Sequence, residues 1–455
     1  MAITTQNPAT GEDIQTYQEM PPEEVARHLD SALEAQRAWT STDLEHRAGL
    51  LRSLAKCLRE GAANYGELMT LEMGKPLAES KAEVEKCAWV CEYYADAGPA
   101  LLADQPVETD ASRSYVSFQP LGVVLAIMPW NFPFWQVIRF AAPSLMAGNA
   151  AVLKHAPNVS GCSVAIEDLM LDAGFPRGLF KALLIDVPAV PQVIEHAGVR
   201  AVTLTGSTRA GRAVASQAAA AIKKTVLELG GSDPSLILED ADLGAAAASC
   251  ATSRMINSGQ SCVAAKRFVV VESVRAEFEA LLVERMSGAR MGSPMDPNTT
   301  LGPLAREDLR DNLARQVEES TARGATCLLG GERPQGPGYF YPPTVLSDVR
   351  PGMPAYDEEL FGPVASIISV PDEAEAIRVA NDTAYGLGAS VYTQDHARGE
   401  RIAASELEAG CCFVNSFVKS DPRLPFGGVK DSGYGRELSP YGIREFVNVK
   451  TVWVA

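Results

Sequence analysis

Val123-Val-Leu-Ala-Ile-Met-Pro-Trp-Asn131 joins six consecutive apolar residues to a proline, an aromatic ring and a side-chain amide. A run that is apolar at every position, without alternation, is the pattern of a strand covered on both faces, as in a parallel sheet flanked by helices. Three more short runs follow, Ala151–Leu153, Ala201–Thr205 and Val226–Leu229, with helical stretches between them. Each ends in a polar or glycine-bearing cluster: Lys154-His155, Gly206-Ser207, and Glu228 through Gly231. Ligands of open α/β sheets gather outside the carboxyl ends of the strands, so four such clusters imply one crevice.

Working outward, the same alternation of strands and helices resumes near Ser235, with Leu236–Leu238, Arg267–Val271, Ala365–Val370, Ala389–Tyr392 and Cys412–Val414 as strands, which indicates a second α/β domain. Upstream, the first hundred residues read as helical, with Val25, Leu29, Ala32 and Leu33 on one face and Val84, Cys87, Ala88 and Cys91 on another. Ser114–Phe118 alternates as a half-exposed strand, and the tail alternates Val449, Val452 and Val454 as an intersubunit edge strand would. The Gly/Pro-rich stretch Gly330–Pro343 reads as a surface loop.

Composition narrows the function. The 455 residues exceed one ordinary core, and 46% hydrophobic with 21% charged residues describes a globular chain of two or three folding units. A net charge of −17 disfavours nucleic acid and anionic membrane surfaces as partners. Val123–Met128, the longest apolar stretch, falls far short of the roughly 20 residues that span a bilayer. No basic-then-apolar leader opens the chain, so a cytoplasmic location is expected. Nine cysteines without zinc-ligand spacing read as reduced thiols, and the five scattered histidines support no metal site.

Three residues carry candidate chemistry. Cys262 lies in Asn257-Ser-Gly-Gln-Ser-Cys262, where it is either a small core residue or a nucleophile; nearby Lys266 and Arg267 make a setting in which a thiolate is expected to be stabilised. Glu228 is either a solvated turn residue or a carboxylate pointed into the crevice. Asn131 is either a helix cap or a hydrogen-bond donor to reacting atoms. Together they are a nucleophile, a base and a donor, the set that acyl chemistry on sulfur needs. The turn at Gly206-Ser207, leading into an Ala-rich helix, suits a pyrophosphate but reads equally as a connecting turn; it is neither G-x-G-x-x-G nor a P-loop.

The motifs Asn7-Pro-Ala-Thr-Gly-Glu12, Pro129-Trp-Asn-Phe-Pro133, Gly206-Ser-Thr208, Glu228-Leu-Gly-Gly231, Gly259-Gln-Ser-Cys262, Glu359-Leu-Phe-Gly-Pro363 and Pro425-Phe-Gly-Gly428 occur in the order of the aldehyde dehydrogenase superfamily, which the chain resembles along essentially its whole length. It looks most like the shorter bacterial succinate-semialdehyde dehydrogenases, which carry Lys-His-Ala-Pro as here at 154–157. The resemblance implies a Rossmann-type cofactor domain (1–111 and 123–233), an α/β catalytic domain (234–428) and a small β oligomerisation unit (112–122 and 441–455) in a homodimer or homotetramer. It also implies NAD or NADP as cofactor, a Cys262 hemithioacetal and thioester, an oxyanion held by Asn131 and the Cys262 N–H, and Glu228 as base for the hydrolytic water. Trp130, Lys154, Gly206, Ser207, Leu229, Glu359 and Phe361 match cofactor contacts.

Arg139, ten residues beyond Pro129, matches a carboxylate-binding arginine, and Trp135, one turn earlier, walls the same tunnel or simply packs. Two departures stand out. Pro157 occupies the position of a ribose-binding glutamate in many NAD-preferring members, so NADP is permitted. Ile256 occupies the position of a second carboxylate-binding arginine, which Arg254 replaces only if the helix geometry allows. The competing readings are a broad-specificity aldehyde dehydrogenase for uncharged aliphatic or aromatic aldehydes, a non-catalytic protein on the same fold, and an acyl-phosphate or CoA-dependent relative; intact Cys262 and Glu228 argue against the second.

Overall fold

A computed structural model describes residues 2–455. Two parallel sheets organise the chain. In the first, strands run in the order Gly433–Tyr434, Lys224–Glu228, Val199–Thr205, Val123–Met128, Ala150–His155 and Phe180–Ala182, all parallel except the short first one. The run quoted at the outset is therefore central, flanked by Val199–Thr205 on one side and Ala150–His155 on the other. Chain order reverses across it, which opens a crevice at the carboxyl ends of these strands.

The second sheet orders Thr326–Leu329, Thr344–Ser347, Val364–Val370, Arg267–Val271, Pro234–Ile237, Gly388–Tyr392 and Cys411–Val414, parallel but for Thr326–Leu329 at its edge. Its five anticipated strands lie within two residues of their expected bounds. Thr326–Leu329 and Thr344–Ser347, which flank the loop at 330–343, escape a reading based on apolar runs because they are short and the first is largely exposed.

The beginning of the chain corrects one expectation. Ala2–Gln6 and Asp13–Gln18 form an antiparallel pair before the helices Pro22–Thr40, Leu44–Glu60, Ala62–Met73 and Leu77–Leu101. These strands bury almost nothing, so they carry no hydrophobic periodicity to read. The helical faces are as expected, with Val25, Leu29 and Ala32 buried and Leu33 half-buried, and with Val84, Cys87, Ala88 and Cys91 buried. A third sheet pairs Val447–Val454 with Arg113–Pro120, and the latter with Gln105–Pro106, all antiparallel. Val449, Trp453 and Val454 remain exposed on it. No helix among the described residues is long and apolar enough to cross a membrane.

Candidate active site

The helix Trp135–Met146 is buried along its whole length. Its first turn lacks a local cap; instead the backbone N–H groups of Phe134 and Trp135 both donate to Glu83 Oε1 at 2.9 Å. A carboxylate there satisfies two orphan donors and faces the positive end of the helix dipole. Glu83 is itself neutralised by a buried ion pair with Lys75. The preceding turn, which carries Trp130 and Asn131, is pinned by His155. Ala156 N–H donates to its Nδ1 at 2.9 Å, which leaves Nε2–H to donate to the Pro133 carbonyl at 2.9 Å. Burial lowers the His155 pKa to about 4, so the ring stays neutral.

Cys262 follows a strained loop. Asn257, Ser258 and Gly259 all have positive φ (57°, 53° and 76°), a conformation retained only where the surroundings enforce it. A Cβ on Gly259 would collide with the Gly362 carbonyl group, so the cysteine loop is pressed against the Glu359–Pro363 motif. Asn131 Nδ2 donates to the Gln260 carbonyl at 3.1 Å, and Asn257 Nδ2 donates to the Asn131 carbonyl at 2.7 Å. Asn131 is thus tied by side chain and backbone to the loop that ends in Cys262.

The electrostatics differ from the sequence-based expectation of a stabilised thiolate. Lys266 Nζ is occupied by the carbonyls of Ser261 and Cys262 at 3.0 and 2.7 Å and sits 3.4 Å from Glu359. Arg267 turns to the carbonyls of Ser232, Val379 and Ala380, away from the sulfur. Burial, reinforced by the Glu228 charge, pushes the Cys262 thiol up, with Lys266 and Arg139 pulling the other way. The balance favours the protonated thiol over the thiolate.

Glu228 ends its strand fully buried. Burial pushes its carboxyl up to about 8 against the pull of Arg139, and the neighbouring Glu437 charge pushes in the same direction. Arg139 Nη2 holds Glu228 Oε2 at 3.2 Å and also pairs with Glu437. Arg139 is 2% exposed, and its Nε has no partner. The guanidinium therefore has two internal carboxyl partners as well as a place on the cavity wall. Arg254 has no such place. It is fully buried, donates to the Gly259 carbonyl and takes no part in lining the cavity beside Cys262, whereas Ile256 does line it.

A cavity of about 320 Å³ opens beside Cys262 and is bordered by Trp135, Arg139, Phe417, Phe426 and Lys86. Trp135 is thus a wall of this cavity, with Arg139 5.9 Å from its ring. Lys86, Ser420 and Glu437 went unread in the sequence. A signal for Lys86 was present: Glu79, Glu83 and Lys86 recur at helical spacing on one face of Leu77–Leu101, a charged stripe where apolar residues would be expected to pack.

The matched cofactor residues gather at the strand ends. Trp130 and Phe361 meet edge to face with centroids 5.8 Å apart. Ser207 caps Thr208–Ala220 by accepting Ala210 N–H at 3.3 Å, and Gly206 N–H donates to the Glu228 carbonyl at 3.0 Å. Glu359 accepts Gly231 N–H at 3.1 Å, just past Leu229. Thr205 Oγ1 and both polar atoms of Asn158, next to Pro157, are buried without partners among the described residues, and Lys154 is buried nearby, with its amine pKa lowered by that burial. Such unfilled polar groups beside a helix N-terminus fit a phosphorylated dinucleotide.

Comparison with known proteins agrees with this geometry. The chain is 50% identical over 455 residues to a probable NADP+ succinate-semialdehyde dehydrogenase of Synechocystis sp., covering 100% of both chains. It is 46% identical over 447 residues to an NAD(P)+ succinate semialdehyde dehydrogenase of Escherichia coli, covering 98% of this chain and 96% of the other. Among solved structures, succinic semialdehyde dehydrogenase from Streptococcus pyogenes in complex with NADP+ superposes with a TM-score of 0.97 at 40% identity, covering 99% of each chain. The family model described as the aldehyde dehydrogenase family matches residues 1–452, and the chain belongs to that family.

Proposed function

We propose that the chain oxidises succinate semialdehyde to succinate, with water as co-substrate and NADP or NAD as electron acceptor. The observation that carries this reading is the placement of Cys262, Arg139 and Lys86 on one cavity, with Glu228 held against Arg139 at its wall. The names of the similar proteins from Synechocystis, Escherichia coli and Streptococcus support the same substrate and cofactor.

The Cys262 thiol releases its proton to solvent, its sulfur adds to the aldehyde carbon, and the resulting oxyanion takes hydrogen bonds from the Asn131 amide and the Cys262 backbone N–H. NADP or NAD, when bound, accepts the hydride. Trp130, Lys154, Gly206, Ser207, Leu229, Glu359 and Phe361 would hold it, and Pro157 leaves room and no negative charge near Lys154 for a 2′-phosphate. Glu228 takes the proton from the water that hydrolyses the thioester, releasing the acid and freeing the sulfur. In this scheme Arg139 orients Glu228 and adds positive potential to the cavity wall.

The unit built on the first sheet (1–111 and 123–233) binds the cofactor, and that on the second (234–428) supplies the nucleophile. The segments 112–122 and 441–455 join copies into a dimer or tetramer through the exposed Val449, Trp453 and Val454. The reaction is a cytoplasmic one. A second reading, turnover of uncharged aldehydes, is favoured by the aromatic walls Phe132, Trp135, Phe417 and Phe426 and by the internal pairing of Arg139. Steady-state kcat/KM for succinate semialdehyde and for butanal, each with NAD and NADP, decides between them. A strong preference for the semialdehyde supports the first, and equal use supports the second.

A further inference from the structure

Every acidic group that faces the cavity is already engaged. Glu79 accepts the Asn257 N–H at 2.7 Å, and Glu83 holds Lys75 and two backbone N–H groups. Arg139 is shared between Glu228 and Glu437. Lys86 is different. Its Nζ donates to Ser420 Oγ at 2.7 Å and lies 4.4 Å over the Trp135 ring, but it makes no ion pair among the described residues. Lys419, the remaining cation on the rim, is exposed and stays hydrated.

An ammonium carries three donors, and the hydroxyl of Ser420 uses one. The cavity therefore holds a partly desolvated positive charge with unfilled donors, walled by aromatic rings, on the same cavity as the nucleophile. We propose that Lys86 is the residue that receives the distal carboxylate of the substrate and so sets the preference for an ω-carboxylated aldehyde. Resting on the substrate reading above, this assigns to Lys86 the second cation that Ile256 does not provide. Burial and the charge of Arg139 lower the Lys86 pKa to about 8, with Cys87, Glu83 and Asp421 acting in the opposite sense; the amine is mostly protonated at neutral pH. An anion there removes the cost of an unpaired charge, and an uncharged aldehyde leaves that cost in place.

The test compares the full-length enzyme with Lys86→Met and Lys86→Arg, using succinate semialdehyde, butanal, and succinate as a dead-end inhibitor. Lys86→Met should raise KM for the semialdehyde and the inhibition constant of succinate by on the order of 10- to 100-fold, with a much smaller change in kcat. The ratio of kcat/KM for semialdehyde over butanal should fall by the same factor, and Lys86→Arg should recover most of it. Should Lys86→Met fail to fold, Lys86→Gln, which keeps a donor to Ser420 and removes the charge, must show the same loss of preference. If wild type prefers the semialdehyde and the neutral variants keep that preference, or lose both aldehydes equally, the assignment of Lys86 is overturned and the substrate reading stands. If wild type itself shows no preference, both fall together.

Discussion

Replacing Arg139 with methionine tests whether this residue serves the fold or the substrate. The side chain is 2% exposed and balances two buried carboxylates, Glu228 and Glu437, through a single nitrogen. Removing one partner of a buried ion pair typically costs 3–5 kcal/mol, because the charges left behind have neither water nor a counterion. Burial already raises both carboxyls, Glu228 to about 8, so they can bind protons near neutral pH and the loss stays within about that range. With an unfolding entropy of ~2.1 cal/mol/K per residue, 455 residues unfolding as one unit carry about 1 kcal/mol/K, so Tm should fall by ~3–5 °C. Differential scanning calorimetry at a fixed scan rate reads this directly. Arg139→Met combined with Glu437→Gln should recover part of the loss, since one stranded carboxylate is gone and the two changes share a network. A single Arg139→Met variant with Tm within 1 °C of wild type, and a selective loss of semialdehyde turnover, would refute the reasoning and restore Arg139 as a free carboxylate clamp.

Other outcomes follow from the same site. Glu228 accepts a proton only when ionised and its carboxyl is raised to about 8, so thioester hydrolysis should accelerate as pH rises through that value and slow below it; stopped-flow bursts at several pH values will show it. Glu437→Gln removes a like charge beside Glu228, so the acid limb of that profile should move to lower pH, whereas an unmoved limb would mean the two carboxyls do not sense each other. Asn131→Ala should lower kcat by about 10²–10³-fold through loss of an oxyanion donor, measured with saturating semialdehyde. Pro157→Glu should shift the kcat/KM ratio from NADP towards NAD, because a carboxylate there repels a 2′-phosphate; an unchanged ratio would remove Pro157 from cofactor selection.

The strands were legible because their signal is local: Val123–Met128 is apolar at all six positions, and its parallel neighbours are apolar over most of theirs. The convergence of Asn131 on the Cys262 loop was anticipated through the family resemblance alone, since Cys262 precedes a strand and ends no apolar run. The charge balance was not legible. Whether Arg139 faces solvent, substrate or an anion depends on Glu437, 298 positions further on, in a segment with no apolar pattern of its own. Lys266 and Arg267 flank the cysteine in sequence, yet a strand beginning at Arg267 points successive side chains in different directions, and both cations are taken by backbone carbonyls. The N-terminal hairpin left no periodic trace because Thr5 is the single buried residue of its two strands.

The helix Leu77–Leu101 touches the site at three successive levels: Glu79 holds the cysteine loop, Glu83 the start of the Arg139 helix, and Lys86 the far side of the cavity. These levels differ in how freely descendants of this sequence can drift. Glu79 and Glu83 each serve backbone N–H groups of other segments, so nearly any exchange there unravels a neighbour before it alters chemistry. Lys86 anchors only a hydroxyl and rests on a ring. A lineage seeking a new aldehyde can exchange that one side chain and keep the catalytic scaffold, so one helix face carries two fixed anchors and, one turn along, a side chain free to change.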